Sequence, residues 1–182
     1  CGPHDDPALA DALARLAGAL GYPILADPLS GLRNGDHDRA LVLDCYDAFL
    51  RDAAFVERFA PQVVLRFGAM PVSKPLLLYL QRHQSCRLIV VDGDGGWNEP
   101  TLLASDMIHA DARLLCEVIL SQGVAALAGS PVLTLAKAAT PIWQQKGSAW
   151  ASAWQLADRS ARAAIVARFG ALDELFEGQV FA

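Results

Sequence analysis

Apolar positions follow two rhythms along the chain, short continuous runs and longer amphipathic repeats, and the two alternate. Leu9, Leu13, Leu16 and Leu20 recur at helical spacing behind Asp6 and Pro7, which suit a cap and a first turn, and Gly21 stops the repeat. Pro23 to Ala26 reads as a short buried strand that leads into the loop Asp27-Pro28-Leu29-Ser30-Gly31, and a polar loop continues to Asp38. Phe49, Ala53, Val56 and Ala60 recur on one face, which predicts a second helix from Leu41 to Phe59. Val63 to Phe67 is an apolar, β-branched run broken by Gly68, after which Ser73 caps a helix from Lys74 to His83. Arg87 to Val91 predicts a strand ending at Asp92, and Met107-Ile108-His109 a shorter one. Ala110-Asp111 opens a helix to Leu120. Gly123 to Thr140 has no strong period and reads as loop with room for a helical turn, and a long helix from Trp143 to about Phe169 carries Trp150, Trp154, Ala157, Ala161 and Ile165 on one stripe.

Continuous apolar strands separated by amphipathic helices predict an α/β fold, a Rossmann-like parallel sheet flanked by helices on both faces. At 182 residues the chain makes one domain, and 53% hydrophobic against 19% charged residues argues for an ordered core. A net charge of −5 with no Lys/Arg cluster argues against nucleic acid and against an anionic membrane surface. The uncharged run from Val118 to Ala136 is interrupted by Gly123, Gly129 and Pro131, so no integral membrane segment is expected, and cytoplasmic residence is the default. Cys1, Cys45, Cys86 and Cys116 form no Cys-x-x-Cys pair, so neither zinc nor a disulfide framework follows; Cys45 and Cys116 fall in helical patterns as buried thiols. Cys1 to Asp6 resembles a loop that follows a strand, and Leu172 to Gly178 starts a new element. Residues 1–182 are therefore expected to be a single central domain excised from a longer protein.

The stretch from Gln62 to Pro75 is an anion-binding layout, in which the free N–H groups of a helix N-terminus stand beside the charge of Lys74. From spacing alone the same residues suit a plain cap with Lys74 in water better, since most strand-to-helix turns in such sheets bind nothing. Gly93-Asp94-Gly95-Gly96 reads as a turn; a diphosphate motif opening on Gly-Asp-Gly needs an Asn-Asn pair some way downstream, and the only asparagines are Asn34 and Asn98. The turn at Gly2 lacks the Gly-x-Gly-x-x-Gly fingerprint of dinucleotide sites. His4-Asp5-Asp6 and Asp36-His37-Asp38 read as caps and turns, and Ser30 has no identifiable base. Trp143, Trp150 and Trp154 suit core or domain-interface packing. Arg66, inside an apolar run, calls for a partner domain or an anion.

Three stretches in order, Tyr22-Pro23-Ile24-Leu25-Ala26-Asp27-Pro28-Leu29-Ser30-Gly31-Leu32-Arg33, Leu65-Arg66-Phe67-Gly68-Ala69-Met70-Pro71-Val72-Ser73-Lys74-Pro75 and Leu175-Phe176-Glu177-Gly178, resemble the middle domain of the 2-succinyl-5-enolpyruvyl-6-hydroxy-3-cyclohexene-1-carboxylate synthase family. The similarity covers most of the chain, with Gly123 to Thr140 as a variable insertion. It implies a central domain between the pyrimidine-binding and diphosphate-binding domains of a parent chain that is a homo-oligomer. That parent uses thiamine diphosphate and Mg2+ to condense decarboxylated 2-oxoglutarate with isochorismate in menaquinone biosynthesis. The resemblance places the catalytic glutamate in the first domain and the metal motif in the third. It thus implies no catalytic, cofactor-binding or metal residue here, and no activity for the domain alone. The family lysine that meets substrate carboxylates matches Lys74, next to Ser73; where some members add an arginine, this sequence has Pro75. Ser30 and Arg33, on a loop at the same carboxyl edge, are substrate-binding candidates by position. A stand-alone nucleotide- or FAD-binding module is the alternative for this sheet type, and a hydrolase using Ser30 or a free cysteine is a third reading.

Overall fold

The computed structural model describes residues 1–3, 6–96, 99–126 and 140–171, of which 122–126 and 140–148 by backbone alone. His4, Asp5, Asn98, Gly129, Pro131 and the stretch Leu172 to Gly178 lie outside the described residues, as does the side chain of Trp143.

The first helix, α1 (Leu9–Leu20), begins two residues after the expected start. The Asp6 carboxylate accepts the Ala8 N–H at 2.8 Å, and Gly21 closes the other end at φ 67°, donating its N–H to the Ala17 carbonyl. The strand β1 (Ile24–Leu25) runs parallel to β2 (Val42–Leu43), pairing Ile24 with Val42 and Leu25 with Leu43. Three further parallel strands, β3 (Val63–Phe67), β4 (Arg87–Val91) and β5 (Asp106–Ile108), pair in that order. The remaining helices are α2 (Tyr46–Phe49), α3 (Ala53–Arg58), α4 (Lys74–Arg82), α5 (Ala112–Ala126) and α6 (Thr140–Gly170).

The single helix expected from Leu41 to Phe59 is instead β2, α2 and α3. The carbonyls of Leu41 and Leu43 accept the N–H groups of Ile24 and Ala26, so they are committed sideways to β1 rather than along a helix. Asp52 then turns extended, at ψ 112°, and its side chain accepts the Ala54 N–H at 2.9 Å, starting α3 afresh. Phe49 and Val56 keep the helical spacing that suggested one element because both short helices turn the same way, toward α6. Cys45 accordingly stands at the start of α2, half-buried, and not inside a helical apolar stripe.

The strands thus form two parallel sheets, a pair and a triplet, and helices cover them on both faces. On one, Leu13 and Leu16 of α1 and Cys116 and Ile119 of α5 pack with Ile24, Phe67 and Val91. On the other, Tyr46, Val56, Leu76, Tyr79, Leu80 and Trp154 form a second core. Alternation along β3 divides its side chains between the two, Leu65 and Phe67 to the first and Val64 to the second. Trp154 of α6 is 2% exposed and meets Phe49, Phe55 and Tyr79 edge-on at ring separations of 5.7, 5.1 and 5.9 Å. These contacts bind α6 to the α2–α4 side of the sheet.

Candidate functional site

The loops that leave β1 and β3 meet at the carboxyl edge of the sheet, and one buried residue ties them together. Asp27, fully buried, accepts the Leu29 N–H on Oδ1 and the Val72 N–H on Oδ2, each at 2.9 Å. One carboxylate thus caps the turn Pro28–Ser30 and holds the chain that precedes Ser73. Ser30 is buried under the same turn: its hydroxyl donates to the Asp27 carbonyl at 2.6 Å and its oxygen accepts the Leu32 N–H at 3.3 Å. Arg33 folds back, donating from Nε and Nη2 to the Ala26 carbonyl at 2.9 and 2.8 Å. Ser30 and Arg33 therefore spend these groups on the shape of their own loop.

On the β3 side Gly68 turns at φ 72°, and Ser73 caps α4 by accepting the Leu76 N–H at 3.2 Å. The Ser73 hydroxyl also donates to Asp47 Oδ1 at 2.7 Å, which links the start of α4 to α2. Burial pushes the Asp47 carboxyl up, but the hydrogen bonds from Arg51 and Ser73 outweigh it and leave it below the usual carboxylate range. Lys74, the first residue of α4, is exposed, and among the described residues no carboxylate lies within ion-pair distance of it. Pro75 beside it is buried against the core. The edge therefore presents an ammonium and a helix N-terminus on a braced loop, with Ser73 serving as the cap.

Gly2 and Gly68 bring this edge together at backbone contact. A Cβ on Gly68 would stand 2.3 Å from the Pro3 carbonyl oxygen, and one on Gly2 would stand 1.8 Å from that of Ala69. The segment at Pro3 and the loop after Gly68 are thus in direct contact at the place where doubly wound folds usually hold a nucleotide.

Arg66 does not look outward. It is 3% exposed, and Nη1 donates to Glu99 Oε1 at 3.2 Å and lies 3.3 Å from the Met70 sulfur, so the expected partner domain or anion is replaced by a carboxylate of the same chain. Glu99 is in turn held by the Thr101 hydroxyl and N–H and by the Leu103 N–H at 2.9 Å.

Among the described residues, those around Gly93 form a turn and not a diphosphate or magnesium cradle. The Gly93-Asp94-Gly95 segment closes as a turn in which Asp92 Oδ1 accepts the Asp94 N–H at 3.1 Å and Gly95 sits at φ 68°. Among the described residues one trio of ligand types converges: the ligand atoms of Asp44, Cys45 and Asp158 lie within 4.8 Å of one another. Its members are already engaged, Asp44 by Arg162 and Asp158 by the Cys45 N–H at 2.9 Å. Burial pushes the Cys45 thiol up to about 11 and raises the Asp158 carboxyl, so the thiol is protonated at neutral pH and suits a network joining α2 to α6. Sequence reasoning missed this trio, because residues 44 and 158 approach only after folding. It also missed the brace at Asp27, whose signal was an aspartate between a buried strand and Pro28.

A family model described as the middle domain of thiamine pyrophosphate matches residues 6–171. All 182 residues fall within regions shared with proteins named 2-succinyl-5-enolpyruvyl-6-hydroxy-3-cyclohexene-1-carboxylate synthase. The protein of that name from Geobacillus kaustophilus is 47% identical over 181 residues, that from Chloroflexus aurantiacus 44% over 181, and that from Bacillus velezensis 37% over 182. The matches cover 100% of this chain and 28% of each relative, so the chain spans under a third of the length of the curated relatives it matches.

Proposed function

Because the chain belongs to the thiamine pyrophosphate middle-domain family, we propose that it is the central domain of a 2-succinyl-5-enolpyruvyl-6-hydroxy-3-cyclohexene-1-carboxylate synthase and acts there as a scaffold. What carries this reading is the end-to-end similarity, 47% over 181 residues, to a protein of that name. In this role the domain sits between a pyrimidine-binding and a diphosphate-binding domain of a cytoplasmic homo-oligomer. Those domains bind thiamine diphosphate and Mg2+ and supply the decarboxylation and carbon–carbon bond formation, and the central domain alone does not turn over substrate.

Within the scaffold, Lys74 lends its ammonium to a substrate carboxylate. The exposed charge at the first position of α4, on a loop braced by Asp27 and capped by Ser73, supports this role. A charge-assisted hydrogen bond in a partly dried cleft is worth about 2 kcal/mol, roughly a 30-fold change in binding. Ser73, Ser30 and Arg33 shape the edge, and of the four Lys74 is the one expected to meet substrate. Steady-state kinetics of the full-length enzyme with Lys74→Ala should show the Michaelis constant for 2-oxoglutarate or isochorismate raised about 30-fold, with Lys74→Arg recovering part of it. Unchanged constants for both substrates would remove Lys74 from the site, and failure of the unmodified enzyme to join those substrates would overturn the assignment itself.

A further inference from the structure

We propose that Asp27 and Asp47 are positioning residues for Lys74, two carboxylates that fix its ammonium in place without touching what it binds. The inference rests on the substrate role of Lys74 given above and adds the groups through which that role is exercised.

Lys74 opens α4 with an exposed side chain, and its two flanks are held differently. Pro75 after it is buried, whereas Val72 before it is 74% exposed, so packing holds one flank and leaves the other to polar bonds. Two such bonds reach that flank. The Val72 N–H donates to Asp27 Oδ2 at 2.9 Å, and the Ser73 hydroxyl donates to Asp47 Oδ1 at 2.7 Å. Asp27 follows β1 and Asp47 lies in α2, just after β2, while Val72 and Ser73 follow β3. The β1–β2 pair and the β3–β5 triplet share no strand pairing, so these two bonds tie the Lys74 loop across from one sheet to the other.

Neither bond is needed for the local turn beside it. Asp27 caps the turn Pro28–Ser30 through the Leu29 N–H with Oδ1 alone, which a serine or asparagine does as well. Yet this carboxylate is fully buried, where a charge is costly unless donors match it, and its second oxygen is engaged by a residue 45 positions away. Ser73 caps α4 with its oxygen by accepting the Leu76 N–H, and the cap makes no demand on its proton. That proton goes to Asp47, whose other oxygen accepts from Arg51 at 2.9 Å. Charged acceptors make bonds roughly twice as strong as neutral ones, and both act here on residues within two positions of the ammonium. A cation on a loop held this way starts from one position rather than several, so binding costs less ordering.

Steady-state kinetics of the full-length enzyme test the proposal, with Asp47→Ala and Asp27→Asn made in the wild-type and in the Lys74→Ala backgrounds. Each is expected to raise the Michaelis constant for the carboxylate substrate that responds to Lys74→Ala by about 10-fold, below the ~30-fold ceiling set by loss of the ammonium itself. The kcat and the other substrate's constant stay unchanged. In the Lys74→Ala background each adds under about 2-fold, because no ammonium is left to aim. Asparagine separates the two positions. Asp47→Asn keeps an oxygen for the Ser73 hydroxyl and recovers most of the loss, whereas Asp27→Asn has one acceptor for two N–H donors and, keeping the local bond to Leu29, releases Val72.

A rise of equal size in both backgrounds overturns the proposal, and so does an equal rise for both substrates. A lower melting temperature with unchanged Michaelis constants, the mark of a purely structural carboxylate, overturns it as well. Should Lys74→Ala itself change neither constant, the substrate role and the positioning role fall together; should it change one while the aspartates act independently, the positioning role falls alone. Asp47 is half-exposed, so Asp47→Ala decides the matter if Asp27→Asn does not fold.

Discussion

Arg66 lies inside a buried strand and is compatible with burial because Glu99, equally buried, meets it at 3.2 Å. A guanidinium in an apolar core costs several kcal/mol unless its charge is matched, and Glu99 matches it while holding its own ring of donors from Thr101 and Leu103. Burial pushes the Glu99 carboxyl up, but the Thr101 hydroxyl, the two backbone N–H groups and Arg66 more than offset this, leaving it below its ordinary value of about 4.5. Glu99→Gln removes the carboxylate bonded to the buried Arg66 guanidinium and is expected to cost about 3 kcal/mol, read as a lower melting temperature at neutral pH. The folded-state value is depressed, so the ionised form contributes stability above the unfolded value and loses it as pH falls through the folded one. The gap between wild type and Glu99→Gln should therefore be full at neutral pH and close in acid below about 4.5. A gap independent of pH would contradict the ion pair. Arg66→Met combined with Glu99→Leu, which removes both charges, should recover most of the loss.

At the scale of elements, the corner from Leu41 to Phe59 shows what local signals decide. Asp52 starts α3 by accepting the Ala54 N–H, so Asp52→Ala should cost about 1 kcal/mol and Asp52→Asn much less, measured as shifts in melting temperature. Equal losses in the two variants would mean the side-chain oxygen is not the cap. β3, β4 and α4 were legible because a continuous apolar run bounded by Gly68, and a serine three residues before the bonded Leu76 N–H, are complete signals within a few residues. β2 was not, because two residues carry no period and its pairing with β1 is non-local; the helical spacing of Phe49 and Val56 arose from two helices sharing one aromatic cluster. The candidate site divides the same way. Lys74 and Ser73 were legible from the start of one helix, whereas the grip of Asp27 on Val72 spans 45 residues and that of Glu99 on Arg66 spans 33, distances at which no sequence period operates.

Across the whole molecule, two loops at the carboxyl edge are locked where Gly68 passes the Pro3 carbonyl, and this lock sets the position of the Lys74 loop relative to the rest of the sheet. Gly68 and Gly31 both adopt left-handed backbone, at φ 72° and 67°, so each pays a similar strain of about 1 to 2 kcal/mol on substitution by alanine. They differ in surroundings: the added Cβ at Gly31 meets nothing within 4 Å, while at Gly68 it would stand 2.3 Å from a carbonyl oxygen of the backbone. Comparing the two variants in the full-length protein separates strain from collision. Gly31→Ala should lower the melting temperature modestly and leave the Michaelis constants alone. Gly68→Ala should cost about 2 kcal/mol more, since backbone on both sides of the contact must move. Because Gly68 begins the loop that carries Lys74, the same variant should raise the Michaelis constant for whichever carboxylate substrate responds to Lys74→Ala. Equal thermal losses in the two glycine variants would show that the loops part freely, and Asp27 alone would then be holding the edge.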